Sequence, residues 1–365
     1  MSLKVIISGG GTGGHIYPAI AIADGLKVVD PNIDILFVGA LGKMEMDKVP
    51  KAGYPIEGLN IRGFDRTRSV RNIKLPFNLL SSLMKARKIV RQFKPDVAIG
   101  VGGYASGPLL YTASRSKIPT LIQEQNSYPG ITNKLLSKRA RTICVAYDGL
   151  ERFFKNKPLV LTGNPVRDDI ADLEANKEEA FDHFGLEKGK PVILSFGGSL
   201  GARTLNESVA AQTDLLRDSD VQVIWQTGSY YHGTLLSSEA AQLENVQPLA
   251  FIDRMDLAYA AADVIIGRAG ALTISELCLV GKPAILVPSP NVAEDHQTKN
   301  AQALVEKSAA ILVKDNQARS TLLPTALELL KNEEQKDQLS QHIKALGKPN
   351  ATQAIVEEIL KLVKK

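Results

Sequence analysis

A run of glycines followed by a histidine is the stretch of the sequence best suited to chemistry. The segment SGGGTGGHIYP (8–18) follows an apolar, β-branched stretch and precedes a helical pattern. Glycines let a backbone turn tightly and approach a ligand, and the positive end of the following helix attracts an anion. His15 stands at the helix start, where the neutral ring that can accept a proton is favoured. It is therefore a candidate general base, and a structural histidine that caps the loop is the alternative.

The same glycines also fit two nucleotide-binding motifs incompletely. Gly9, Gly11 and Gly14 match G-x-G-x-x-G, but that fingerprint needs an acidic residue at the end of the second strand. Here the second strand ends FVGA, and Asp34 lies at its start. A Walker A loop requires Gly-Lys-Ser/Thr where His15 stands. Both a dehydrogenase and a P-loop enzyme are therefore disfavoured.

Polar residues follow two other apolar stretches of the first half. The segment IGVGGYASGP (99–108) places Tyr104 in a second glycine loop, and IQEQNSYPG (122–130) places Glu124 and Asn126 after a third strand. Carboxylate and amide groups at strand ends suit hydrogen bonding to a polyhydroxyl or N-acetyl substrate. Each could equally cap a helix.

The second half contains anion-binding patterns of its own. SFGGSLGAR (195–203) repeats the strand–glycine–helix order, with Ser199 in the turn. Gly270 precedes a helix from Ala271 whose first turn could receive a diphosphate, and Glu276 lies where a carboxylate could take a ribose diol. No HExxH motif or clustered Cys and His appears, so we expect neither a metal nor a cofactor, with helix ends and arginine meeting the diphosphate charge.

Short apolar runs that alternate with helical patterns position these loops. Five runs precede residue 150, a Gly/Pro/Asn cluster interrupts the rhythm near 161–170, and five more runs follow. This alternation predicts two doubly wound α/β domains, residues 1–166 and 167–349, facing a central cleft that holds the ligand. The C-terminal stretch 350–365 is helical and is expected to pack back onto the first domain.

Composition and charge narrow the class of protein. The 365 residues are 44% hydrophobic and 23% charged, and the two cysteines, Cys144 and Cys278, lie far apart in apolar runs, as in a reducing cytoplasm. No signal pattern or spanning stretch is evident. Residues 1–166 carry 24 Lys and Arg against 11 Asp and Glu, whereas residues 167–365 carry 20 against 28. The excess of basic residues in the first half indicates an anionic partner.

Seven motifs in order carry a resemblance that spans essentially the whole chain. They are GGGTGGH, GVGGYASGP, EQN with the following G-x-TN, TGNPVR, GGSLGAR, RAGALTISE and DHQTKNA. Together they resemble the peptidoglycan N-acetylglucosaminyltransferases that convert lipid I to lipid II. The resemblance implies a GT-B fold, UDP-N-acetylglucosamine as donor, and undecaprenyl-diphospho-muramoyl-pentapeptide (lipid I) as acceptor. It implies inverting transfer to the muramoyl 4-hydroxyl without a required metal. A UDP-sugar epimerase or another GT-B lipid glycosyltransferase is the alternative.

The resemblance also assigns site residues by matching motifs. His15 matches the general base of the family, with Glu124 as the other candidate base and Tyr104 near the acceptor. The role of His296, where some relatives carry Gln, stays open. The donor site falls on Thr12, Gly13, Gly14, Asn126, Arg167, Ser199, Ile252 (through its backbone), Ala271, Leu272, Thr273, Ile274, Ser275, Glu276 and Gln297.

A membrane-lipid acceptor gives the basic first half an interpretation. Between Arg62 and Lys94 ten basic residues accompany one acid, Asp65. An apolar patch lies among them and is flanked by eight of the basic residues. The patch is Ile73, Leu75, Phe77 and Leu79, and the flanking residues are Arg68, Arg71, Lys74, Lys85, Arg87, Lys88, Arg91 and Lys94. We expect peripheral binding to anionic lipids at the cytoplasmic face of the plasma membrane, no nucleic acid, and cell-wall synthesis proteins as further candidate partners. Against this, six apolar residues recur at helical spacing and mostly resemble core positions. They are Leu80, Leu83, Met84, Ile89, Val90 and Phe93.

Overall fold

The chain divides into two compact units, each built on a parallel sheet. The computed structural model describes residues 2–62, 75–155, 157–166, 176–198, 200–292 and 295–363. The first unit comprises Met1–Val166 and Asn350–Lys365, and the second comprises Arg167–Pro349. The acceptor and donor roles assigned to the two domains stay predictions.

The first unit contains a sheet of seven parallel strands within the described residues. Its strands are β1 Lys4–Gly9, β2 Asp34–Ala40, β3 Ile56–Leu59, β4 Val97–Gly102, β5 Thr120–Glu124, β6 Thr142–Val145 and β7 Leu159–Leu161. Its helices are α1 Gly13–Val29, α2 Glu45–Lys51, α3 Leu75–Phe93, α4 Ser106–Arg115, α5 Ile131–Ser137 and, from the C-terminus, α15 Ala351–Val363. The strand order is β3-β2-β1-β4-β5-β6-β7.

Alternate residues of each central strand of this sheet pack on opposite faces. In β1, Val5 and Ile7 join the core beneath α1 and α15, whereas Ile6 joins the core beneath α3 and α4. This two-residue period explains why the strands read as continuous apolar runs, because both faces are covered by helices. Ile355 of α15 is fully buried in the α1 core, so the C-terminal helix completes one face of the first unit.

The second unit repeats the architecture with six parallel strands in the described residues. Its strands are β8 Val192–Phe196, β9 Gln222–Gln226, β10 Val246–Leu249, β11 Val264–Gly267, β12 Ala284–Leu286 and β13 Ile311–Leu312, in the order β10-β9-β8-β11-β12-β13. Its helices are α6 Lys177–His183, α7 Arg203–Ala210, α8 Thr213–Arg217, α9 His232–Leu235, α10 Met255–Ala261, α11 Ala271–Val280, α12 His296–Val305, α13 Ala318–Lys331 and α14 Glu333–Ala345. The prediction of two doubly wound α/β domains is therefore confirmed.

Two details of the prediction need correction. The short strands β3, β7 and β13 were not anticipated, because runs of two to four residues carry too little periodicity. Leu80 and Met84, which resembled core, are 58% and 62% exposed. Ile89 and Val90 are buried as predicted, and Ser82 and Ala86 lie on the same buried face of α3. Among the helices of the described residues, none combines the length and the apolar character that crossing a bilayer requires.

Candidate active site

The predicted glycine loops fall where the strand order of each sheet reverses. In the first sheet β1 lies beside β4, and in the second β8 lies beside β11. From each of these central pairs, the following strands are added toward opposite edges of the sheet. Ligands of doubly wound sheets bind beyond the carboxyl ends of the strands at this switch point. Residues 10–12 and 103–105 occupy it in the first unit, and residues 197, 198, 200–202 and 268–270 occupy it in the second. Each unit therefore presents a pair of loops suited to ligand binding.

The two loops of the first unit pack so closely that only glycine fits. Gly103 has φ +86°, and a Cβ atom there would lie 2.3 Å from the carbonyl oxygen of Gly10. Gly102 has φ +103°, and its Cβ would lie 2.6 Å from Cδ2 of His15. The buried Ser106 hydroxyl lies 2.9 Å from the carbonyl oxygen of Ser8 and 2.7 Å from that of Gly102. The loop after β4 is thus fitted directly against the loop and imidazole that follow β1.

His15 is half-buried in the first turn of α1, with one ring nitrogen held by the glycine loop. Its Nδ1 lies 3.0 Å from the carbonyl oxygen of Gly10 and 3.4 Å from Oγ1 of Thr12. A carbonyl oxygen can only accept, so the contact with Gly10 assigns the proton of the neutral ring to Nδ1. The lone pair then belongs to Nε2, the nitrogen on the Gly102 side. In this tautomer Nε2 is the ring nitrogen that can accept a proton.

A carboxyl group absent from the predicted site, that of Glu45, lies beneath the glycine loop. Glu45 begins α2 and is fully buried. Its Oε2 accepts the N–H of Gly11 at 2.9 Å, and its Oε1 accepts the N–H of Ala40 at 3.0 Å. The sequence offers little signal for this contact, because KMEMDKVP reads as an ordinary solvent-facing helix start.

Glu124, the other candidate base, is surrounded by donors. One carboxyl oxygen accepts the backbone and side-chain N–H groups of Asn126, at 3.0 and 3.2 Å. The other accepts the N–H of Gly130 at 3.1 Å and the side-chain amide of Asn133 at 2.8 Å. Burial raises the pKa of Glu124, and these hydrogen bonds oppose the shift. The carboxyl group thereby organises the loop between β5 and α5.

A buried amide network fixes the loop after β7. The side chain of Gln123 donates to Asn164 at 2.8 Å, and Asn164 donates to the carbonyl oxygen of Gln125 at 3.0 Å. Gln125 in turn donates to the carbonyl oxygen of Val101 at 2.7 Å. The TGNPV segment is therefore tied to β4 and β5. Tyr104, in the loop after β4, is 49% exposed.

The loop after β8 is anchored on the loop after β9. Gly201 has φ +85°, and its Cβ would lie 2.1 Å from the carbonyl oxygen of Thr227. The buried Gln226 donates to the carbonyl oxygen of Gly198 at 2.8 Å. Two predicted donor residues, Arg167 and Ser199, lie outside the described residues.

Helix α11 carries six of the predicted donor residues at the second switch point. Its N-cap is Gly270, and it starts at Ala271 directly beyond β11. Glu276, in the second turn, accepts the hydroxyl of the fully buried Tyr259 at 2.9 Å, which orients the carboxylate. The hydroxyl of Ser275 donates back to the carbonyl oxygen of Ala271 at 3.0 Å. Tyr259 is a further positioning residue that the motif did not include.

Other predicted or nearby residues have structural partners. Arg268 forms an ion pair with Asp315 and donates to the carbonyl oxygen of Val287 at 3.0 Å. Gln297, at the start of α12, accepts the N–H of Ser289 at 2.8 Å through its side-chain oxygen. Ile252 is buried, and its backbone role stays a prediction.

Two Rossmann-like domains, each with loops at its switch point, define the GT-B class of glycosyltransferases. Residues 5–145 match the glycosyltransferase family 28 N-terminal domain, and residues 192–358 match the glycosyltransferase family 28 C-terminal domain. A curated protein of Flavobacterium psychrophilum is 57% identical over 99% of this chain and 98% of its own length. It is named UDP-N-acetylglucosamine–N-acetylmuramyl-(pentapeptide) pyrophosphoryl-undecaprenol N-acetylglucosamine transferase. The chain belongs to glycosyltransferase family 28.

Solved structures agree with this family. The crystal structure of Acinetobacter baumannii MurG matches with a TM-score of 0.79 and 29% identity, over 98% of this chain and 99% of that one. A UDP-GlcNAc 2-epimerase from Neisseria meningitidis, bound to UDP-GlcNAc, matches with a TM-score of 0.66 over 99% of this chain and 100% of its own. Its 16% identity shows a common fold alone. The family match therefore favours sugar transfer over the epimerase alternative.

Proposed function

We propose that this protein transfers N-acetylglucosamine from UDP-N-acetylglucosamine to the 4-hydroxyl of lipid I, giving lipid II. The single observation that carries the proposal is the 57% identity, over nearly the full length of both chains, to a transferase named for this reaction. The glycine loops and polar strand ends at both switch points support it.

In the proposed chemistry His15 acts as the general base in the first unit. Nε2 removes the proton of the acceptor hydroxyl, and the oxygen attacks C1 of the sugar while the bond from C1 to the diphosphate breaks. UDP leaves, and the configuration at C1 inverts. His15 is favoured over Glu124 because the Glu124 carboxyl already accepts four hydrogen bonds from its own loop. In His15, by contrast, the contact with Gly10 keeps the proton on Nδ1 and the lone pair on Nε2.

The second unit supplies the proposed donor site. Glu276 would accept the two ribose hydroxyls, with Tyr259 holding its orientation. The first turn of α11 would meet the diphosphate with its N–H groups, and Gln297 would donate its amide to the sugar. Ile252 would read the uracil through its backbone. Thr12, Gly13, Gly14, Asn126 and Tyr104 stay proposed contacts of the first unit.

The exposed face of α3 is the proposed membrane contact. Phe77, Leu80 and Met84 lie three and four residues apart and are 75%, 58% and 62% exposed. The same face continues into the exposed Arg87, Lys88 and Arg91. An apolar stripe beside basic side chains suits shallow insertion into an anionic lipid surface. The predicted basic residues Arg68, Arg71 and Lys74 and the apolar Ile73 lie outside the described residues.

The direct test is a transfer assay with purified protein. Labelled UDP-N-acetylglucosamine and a short-chain lipid I analogue should give UDP and a labelled disaccharide lipid. UDP-N-acetylglucosamine alone, incubated for the same time, should give no 2-epimer. Formation of an epimer without any disaccharide product would reject the transferase assignment.

A further inference from the structure

The hydrogen bonds of Glu45 and His15 meet on the two ends of one peptide group. Glu45 Oε2 accepts the N–H of Gly11, and His15 Nδ1 donates to the carbonyl oxygen of Gly10. That N–H and that carbonyl belong to the single peptide unit joining Gly10 to Gly11. The result is a continuous chain of two hydrogen bonds, at 2.9 and 3.0 Å, from the buried carboxyl group to the imidazole.

Two glycines leave room for the side chain of Glu45. A Cβ atom on Gly10 would lie 2.2 Å from Oε1 of Glu45, and one on Gly39 would lie 2.5 Å from Cγ. Glycines from the loop and from β2 therefore leave space for the side chain. The N–H of Ala40 at 3.0 Å fixes the second oxygen, so the carboxyl group has one orientation. Glu45 is fully buried, and burying a carboxyl group is costly unless its hydrogen bonds compensate.

We propose that Glu45 is a positioning residue for His15, acting through the Gly10–Gly11 peptide. Hydrogen bonds in series polarise one another. A carboxylate that accepts the N–H of Gly11 therefore makes the carbonyl oxygen of Gly10 a stronger acceptor. The stronger acceptor holds the proton on Nδ1 and leaves the lone pair on Nε2. When Nε2 takes the proton of the acceptor hydroxyl, the same chain stabilises the positive ring. A carboxylate that orients a catalytic imidazole directly has the same function in hydrolase triads.

This inference rests on the proposed role of His15 as base, and its test separates the two. Glu45→Gln keeps the size of the side chain but replaces one accepting oxygen with a donor. We expect kcat for lipid I to fall by about 10- to 100-fold, the cost of removing the outer partner of a metal-binding imidazole. KM for UDP-N-acetylglucosamine should stay within about twofold, because binding is proposed to lie mainly in the second unit. Asp47→Asn, on the exposed side of the same helix, is the matched control and should leave kcat unchanged.

Two readouts distinguish positioning from general support of the fold. In a His15→Ala background, Glu45→Gln should have almost no further effect on kcat, whereas a loop-wide structural role would lower it again. Nitrogen-15 NMR of the ring at alkaline pH should show the Nδ1–H tautomer of His15 in the unchanged protein and less of it in Glu45→Gln. Five histidines are present, so His15→Asn assigns the signal by difference.

Each outcome bears on the inference. Unchanged kcat and tautomer in Glu45→Gln, or an equal loss of kcat with and without His15, would overturn it. If Glu45→Gln does not fold, a dominant Nε2–H tautomer in the unchanged protein would overturn it as well. Full turnover by His15→Ala would instead remove the proposed base, while the tautomer measurement would still test the hydrogen-bond chain. Absence of any transfer by the unchanged protein would count against the proposed function alone.

Discussion

Glu276→Ala is expected to abolish discrimination between UDP and 2′-deoxy-UDP. In the proposed donor site the carboxylate accepts both ribose hydroxyls, and removing one hydroxyl removes one hydrogen bond to a charged group. Such a bond contributes about 1.5–3 kcal/mol, and each 1.4 kcal/mol is a factor of ten in affinity. The unchanged protein should therefore prefer UDP by about 10- to 100-fold, and Glu276→Ala should bind both nucleotides almost equally.

The buried hydroxyl of Tyr259 gives a second, graded perturbation of the same site. It donates to Glu276 at 2.9 Å from a fully buried ring, so it cannot relocate. Tyr259→Phe removes about 1 kcal/mol of orienting interaction and should weaken UDP binding by about fivefold, with part of the ribose preference kept. Isothermal titration calorimetry measures the affinity of each protein for both nucleotides, and Glu328→Ala, exposed on α13, is the control. A Glu276→Ala protein that still prefers UDP tenfold would refute this account of ribose recognition.

Three further changes test other parts of the molecule. His15→Ala should lower kcat by about 10²–10⁴-fold in the transfer assay, the usual contribution of general-base catalysis; near-normal turnover would remove His15 from the mechanism. The pair Leu80→Ser and Met84→Ser should weaken flotation with anionic vesicles, and binding of the unchanged protein should fall steeply as salt rises. Salt-independent flotation would count against the α3 surface. Ile355→Ala should destabilise the protein by about 2–5 kcal/mol in denaturant unfolding, whereas the exposed Gln353→Ala should change stability by less than about 0.5 kcal/mol.

The elements that position the site were predictable because strands and glycine loops have local signatures. β1, β2, β5 and β11 each lie within about two residues of an apolar run recognised in the sequence. Glycines at the ends of these runs indicated close backbone approach, and the structure shows that contact at Gly103. The prediction failed where a strand was too short to show repeated alternation, as in β13, which has two residues.

The partners of the site residues could not be predicted, because they depend on contacts between distant segments. Glu45 reaches Gly11 across 34 residues, and Tyr259 reaches Glu276 across 17. Neither separation has a periodic signal. The same limit explains Leu80 and Met84, since helical spacing shows that residues share a face but not whether that face is covered. The roles of the motif residues, including Arg167 and Ser199, stay predictions.

The return of the C-terminal helix to the first unit has a consequence for synthesis of the protein. The second unit, Arg167–Pro349, is continuous in the chain, whereas the first lacks α15 until its residues have been translated. On the ribosome the second unit can complete its fold first, and the first unit waits with the apolar surface of α1 uncovered. A nascent chain interrupted after residue 349 would therefore hold the strands of both sheets, but the α1 face of its first unit would lack α15. Translation of α15 therefore completes the half of the molecule that carries His15.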